Sequence, residues 1–185
     1  MNWQNNYLIS KIIVFVKGVF IVLFKFNNFV ERFLTFVSVL LLATFIIVVF
    51  VKVIARNYFD IPMVWADEFS LLCFMWTVFL GAAIALRHKK HFIVDLAPSK
   101  LKLNLGFDIL SHFIILSLIY VMIVYGYKFT MSGMSRASNS LPFTLSYFFA
   151  TIPVSGVAML LFTIELIITD TKKFLKLTSK EVYVD

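Results

Sequence analysis

The chain has 185 residues, of which 61% are hydrophobic and only 15% charged, and it carries a formal net charge of +7. Soluble domains are about 45–50% apolar and about 25% charged, so this composition excludes a soluble globular protein and requires an integral membrane one. The basic excess sits beside long apolar segments, which makes anionic lipid headgroups rather than nucleic acid its expected counter-charge.

The first element expected in chain order is amphipathic. Between residues 7 and 28, Ser10, Lys11, Lys17, Lys25 and Asn28 fall within one helical arc, opposite an arc of Ile, Val, Leu and Phe. Such a helix lies in the membrane interface with its lysines toward the headgroups. Residues 1–29 are therefore expected to form an interfacial helix, with Lys17 and Lys25 facing lipid phosphates. A fifth span here would place Lys17 near mid-membrane and put the two termini on opposite sides. The segment lacks a small-x-small cleavage motif and is expected to be retained.

Residues 30–185 are expected to form a four-span domain. A bilayer core of about 30 Å needs about 20 apolar residues in a helix, and the segments 33–51, 69–86, 109–127 and 147–168 meet that need without a charge at their centres. Loop residues separate them: Asn57, Asp60 and Pro62, then Pro98 to Lys102, then Gly133, Asn139 and Pro142. The fold class is all-α integral membrane, four transmembrane helices plus an N-terminal amphipathic interfacial helix.

Lys and Arg distribution sets the orientation. Lys11, Lys17, Lys25 and Arg32 precede the first span; Arg87, Lys89, Lys90, Lys100 and Lys102 fill the second loop; Lys172, Lys173, Lys176 and Lys180 follow the last span. These thirteen share one side, against Lys52, Arg56, Lys128 and Arg136 on the other. Both termini are expected in the cytoplasm, with Lys89 and Lys90 reaching headgroups.

Candidate sites are few. Asp67 and Glu68 precede the second span, where carboxylates stabilise a helix N-terminus or could pair with another subunit. His88, His91 and Asp95 could ligate a metal if helical, but zinc needs three or four ligands and two lysines lie between the histidines, so no metal and no cofactor are expected. His112 lies one turn after Asp108, suited to a local pair. Glu165 is the most membrane-embedded acid, a position that marks a functional candidate, though Asp170 and Lys172 lie close in sequence. Gly81 and Ala85 form a small-xxx-small pair that admits another helix, and Pro153, Ser155, Gly156 and Ala158 make a second such zone. The single cysteine, Cys73, excludes an intrachain disulfide and reads as a small hydrophobe.

A carrier needs charges or broken helices at mid-membrane, usually in two related halves. A channel needs a polar stripe, and Ser38, Thr44, Thr77, Ser117, Thr151 and Thr163 are too scattered to make one. No repeat and no central acid are present, so the chain is expected to transport nothing alone.

Trp65, Glu68 and Trp76, followed by Leu80-Gly81-Ala82-Ala83, Arg87, His91 and Val94-Asp95, resemble the signature of the small membrane subunit of TRAP transporters (tripartite ATP-independent periplasmic transporters, the DctQ-like family). The motif covers about residues 65 to 96; the rest is similar in layout. The resemblance implies a non-enzymatic subunit of the bacterial inner membrane that packs against and stabilises a separate, large transport subunit. It also implies a periplasmic solute-binding protein as partner, a sodium gradient as driving force, and an organic acid as cargo, sialic acid first and C4-dicarboxylates otherwise. Trp65, Glu68, Trp76, Gly81, Ala85, Arg87 and Glu165 become candidates for subunit contact or structural support. The competing readings are the membrane anchor of a redox enzyme, which would need facing histidines within spans, and a small self-assembling exporter, which would need an acid deep in the first span.

Overall fold

A computed structural model of the chain describes the backbone of residues 3–88 and 101–181 and the side chains of residues 22–88 and 111–169. The elements are α1 (Trp3–Phe59), α2 (Val64–Arg87), α3 (Leu101–Gly133), the single turn α4 (Ser146–Phe149) and α5 (Thr151–Glu181). Four described stretches are long and apolar enough to cross a membrane: Val22–Phe59, Val64–Arg87, Ser111–Gly133 and Ser146–Thr169. Each contains or largely overlaps a span expected from sequence.

The amphipathic segment and the first span are one helix. α1 runs 57 residues without interruption, about 86 Å at 1.5 Å per residue and far more than one bilayer core. The boundary drawn at residue 29 is thus not a break in the backbone. The reason is local: no proline occurs between Trp3 and Phe59, and Asn27-Asn28 weaken a helix by propensity without stopping it. What does end α1 is the turn at Asp60, whose φ of 50° is left-handed, a region Asp enters at lower cost than most residues. The Ile61 amide closes back on the Ala55 carbonyl at 3.1 Å, and Pro62 follows, which cannot continue the ladder.

Proline also divides the last span. Pro153 has no amide to give the Phe149 carbonyl four residues back, and Phe149 is where α4 stops. The chain resumes as α5 at once, so the two pieces cross the membrane together.

α5 is the central helix, packed against both α2 and α3, whereas α1 lies chiefly on α2. Within the most apolar window of each span, 44% of the α4–α5 residues are buried against 6% on α1, so α1 is the outer helix of the group. The core joins Ala83 and Leu86 of α2, Ile115, Ile119 and Met122 of α3, and Ala158, Met159 and Phe162 of α5. Two glycines set the α3–α5 approach. A Cβ on Gly126 would lie 2.8 Å from Ile152 Cγ2, and one on Gly156 would lie 3.1 Å from Ile123 Cγ1. Small residues at such crossings let helix backbones come close where lipid supplies no hydrophobic drive.

Candidate functional site

Polar side chains collect in two layers. At the inner one, the C-terminal end of α2 projects Arg87 between α1 and α5. Its Nη1 donates to the Asn27 carbonyl at 3.1 Å and to Glu31, and its Nη2 donates to Asn28 Oδ1 at 2.6 Å and to Glu165 Oε1 at 3.0 Å. Phe24 and Phe162 flank the guanidinium, their ring centroids 5.7 and 5.3 Å from Cζ. The Arg87 side chain is only 7% exposed and that of Glu165 8%.

The second oxygen of each of these two carboxylates is also held. Asn27, fully buried, donates through Nδ2 to Glu165 Oε2 at 2.6 Å and to the Leu161 carbonyl at 3.1 Å. His88 Nε2 lies 2.6 Å from Glu31 Oε1. A planar fork with several fixed donors can join three helices in this way; a point charge cannot. The layer therefore locks α1, α2 and α5 together by charge-assisted bonds in a low-dielectric setting.

At the outer layer, Lys52 of α1 pairs with Asp67 of α2. Glu68 accepts hydrogen bonds from the Ser138 hydroxyl, from the Asn139 amide at 3.0 Å and from the Ser140 amide at 2.9 Å. One carboxylate thus clamps the loop between α3 and α4. Deeper on α2, Trp76 Nε1 donates to the Tyr147 carbonyl at 3.1 Å, tying α2 to the start of the last span.

The layers match a bilayer. From Glu31 to Lys52 is 21 residues of α1, about 32 Å; from Glu68 to Arg87 is 19 residues of α2, about 29 Å. Between Arg32 and Lys52, Glu68 and Arg87, His112 and Lys128, and Ser146 and Glu165, no charged residue occurs. Apolar helix fills intervals of about 24–30 Å, close to the thickness of a hydrocarbon core.

Set against the sequence expectations, Arg87, Glu165, Glu68 and Trp76 all make contacts within this chain. Asp67 and Glu68 bond to other elements, and no side chain caps the N-terminus of α2. Gly81 takes no part in the bundle: a Cβ there would meet nothing within 4 Å. It lies on the same side of α2 as the exposed Phe74 and Val78, with Ala85 one turn further on. Trp65 is exposed and stacks edge-on against Phe69. Lys25 is exposed, while Lys17, Lys89, Lys90, His91 and Asp95 lie outside the residues whose side chains are described. Among the described residues no group of three or more His, Cys, Asp or Glu could hold a metal.

Sequence reasoning missed Asn27, Asn28 and Glu31 as partners of Arg87, and Lys52 as the partner of Asp67. The signal was present. Asn27 and Glu31 are four apart on one helix face, and Glu31, Arg87 and Glu165 each stand at the inner end of an uncharged span. Groups at one depth on neighbouring spans have few partners except one another.

Fold and site together define a multi-pass helical membrane protein with helix-to-helix ion pairs in two layers, one at each end of its uncharged spans. The chain belongs to the DctQ component family of the tripartite ATP-independent periplasmic transporters, whose family model matches residues 45–173. It is 27% identical over 165 residues to the sialic acid TRAP transporter small permease protein of Vibrio cholerae, covering 87% of this chain and 92% of that one. A putative TRAP transporter small permease protein of Haemophilus influenzae is 29% identical over 72 residues, 39% of this chain and 44% of the other. The sialic acid TRAP transporter permease protein of Haemophilus influenzae is 29% identical over 82 residues, 42% of this chain and 13% of that much longer one. The family is a transporter component, not an enzyme.

Proposed function

We propose that this chain is the small subunit that supports the large transport subunit of a sodium-driven, binding-protein-dependent carrier of organic acids, with sialic acid as cargo. The observation that carries the supporting role is the distribution of charge. Every span has its charges at its edges, where the described ion pairs hold helix to helix. Mid-membrane charges, which a carrier uses to hold an acid and its coupling ion, do not occur within the four uncharged intervals, and the one helix interruption among them, at Ala150, lies about one turn from the end of its span. Sialic acid is favoured over C4-dicarboxylates by the similarity to the sialic acid small permease protein of Vibrio cholerae.

In this reading the chain sits in the bacterial inner membrane with both termini in the cytoplasm, and the Arg87 layer is the cytoplasmic one. The part of α1 before Asn27 then lies beyond that layer, where Lys17 and Lys25 meet headgroups. A separate large permease subunit and a periplasmic solute-binding protein complete the system. The test is reconstitution in liposomes with a sodium gradient. The purified chain alone should take up no sialic acid, and adding its large partner and binding protein should produce uptake. Uptake by this chain alone would overturn the supporting role, and uptake of succinate but not sialic acid by the whole system would overturn the cargo.

A further inference from the structure

A groove of about 570 Å³ runs along the lipid side of the α3–α5 crossing, lined by Val121, Tyr125, Phe129 and Ile152, with Lys128 and Ser132 as its polar members. Its polar atoms belong to residues nearest the outer end of α3, which stops at Gly133; Val121 marks its inner end. The eleven helical rises from Val121 to Ser132 cover about 16 Å, which is about half a bilayer core and so the depth of one leaflet.

Lys128 is exposed and lies at the polar end of the groove. A lysine near a helix end usually extends its ammonium to water. Here Nζ lies 5.5 Å from the centroid of the Tyr125 ring, one turn back toward the membrane interior. No carboxylate pairs with it among the described residues, in contrast to Lys52, which Asp67 neutralises. A cation turned over an apolar groove is complementary to a ligand with an anionic head and a hydrocarbon tail.

We propose that the groove is a binding site for an anionic glycerophospholipid of the outer leaflet, its phosphate on the Lys128 ammonium and an acyl chain lying past Tyr125 toward Val121. The site is independent of the transported cargo and rests on the membrane placement of the four spans and on the orientation proposed above. Close contact of α3 with α5 at Gly126 and Ile152 forms its floor, so the lipid would seat against the crossing that holds the two helices together.

The test is photolabelling of the purified full-length chain in nanodiscs by phosphatidylglycerol with a diazirine in its acyl chain, with labelled peptides mapped by mass spectrometry. Peptides covering residues 121–132 should be labelled, and unlabelled phosphatidylglycerol should compete where phosphatidylcholine does not. Lys128→Gln should lower that labelling about fivefold, the factor expected for one lysine at an anionic surface, and Lys128→Arg should retain it. Val121→Trp, which fills the inner end, should abolish it with Lys128 intact. Equal labelling of the Lys128→Gln and unaltered chains, or equal competition by phosphatidylcholine, would overturn the proposal. Loss of the labelling when the large subunit is added would also overturn it, by showing that a partner helix fills the groove.

Discussion

Replacing Arg87 by Ala removes one cation and leaves the carboxylates of Glu31 and Glu165 without their shared partner. Removing one member of a buried pair costs about 3–5 kcal/mol, because the remaining charge is stranded. Glu31 is 22% exposed and keeps His88, so its share is screened, whereas Glu165 at 8% keeps only Asn27. A loss of about 3 kcal/mol is expected, which for a chain of this size corresponds to a melting point lower by roughly 6–12 °C. The assay is thermal unfolding of the purified chain in detergent, followed by near-ultraviolet absorbance or tryptophan emission. Arg87→Lys should recover only part of the loss, since one ammonium cannot bridge α1 and α5 as the fork does. Arg87→Met combined with Glu31→Gln and Glu165→Gln should recover most of it, because no charge is then left buried. An unshifted melting point for Arg87→Ala would refute the description of this layer as the lock between α1, α2 and α5. Co-purification with the large subunit adds a second readout. If Arg87→Ala loses the partner and the neutral triple variant regains it, Arg87 acts by ordering its own chain. If both variants lose the partner while the triple variant melts normally, Arg87 also contacts it.

Further substitutions separate internal packing from external contact. Gly126→Leu should destabilise the chain itself by about 1–3 kcal/mol or more, since its Cβ already meets Ile152 and the backbones must move apart. Gly81→Leu should leave melting of the isolated chain unchanged, so any loss of the large subunit on that change reports a helix docked on this face of α2. Glu68→Gln should loosen the loop it clamps, read as faster protease cleavage or thiol labelling of an Asn139→Cys probe; unchanged protection would mean that the loop is ordered by other contacts. Reporter fusions after Lys102 and Lys180 should read cytoplasmic and one after Ser138 periplasmic, and Lys89→Gln with Lys90→Gln should leave that topology and complex assembly intact.

Much of the architecture was legible because membrane insertion imposes a length rule on apolar runs. The spans at 69–86 and 147–168 fall inside Val64–Arg87 and Ser146–Thr169, with a surplus of more than one residue only at the start of α2. The continuity of α1 was not legible in the same way. Hydrophobic pattern distinguishes an interfacial face from a spanning one, but it carries no signal for a break unless a Pro or Gly marks it, and Gly18 alone does not stop a helix. The site was legible by type and not by partner. Arg87, Glu68 and Glu165 stand out in the sequence as charges next to apolar runs, yet their partners are 56 to 138 residues away along the chain, and one sequence holds no record of which spans touch.

The two layers divide the work of holding the subunit together in a way that the apolar helices cannot. In lipid, an apolar face gains little by exchanging acyl chains for another helix, and α1 buries almost none of its most apolar window. Its packing on α2, which includes the Phe45–Phe74 ring contact at mid-span, is therefore reinforced by polar contacts at its ends: Asn27, Asn28 and Glu31 meet Arg87 at one edge, and Lys52 meets Asp67 at the other. Between these anchors α1 offers Phe33, Phe36, Leu40, Ile47 and Phe50 outward. A helix fixed at both edges and apolar between them is free to present that face to lipid or to a larger subunit without risking its own place in the fold. That arrangement suits the supporting role proposed above, because the contacts that hold the chain together do not compete with those it would make outside.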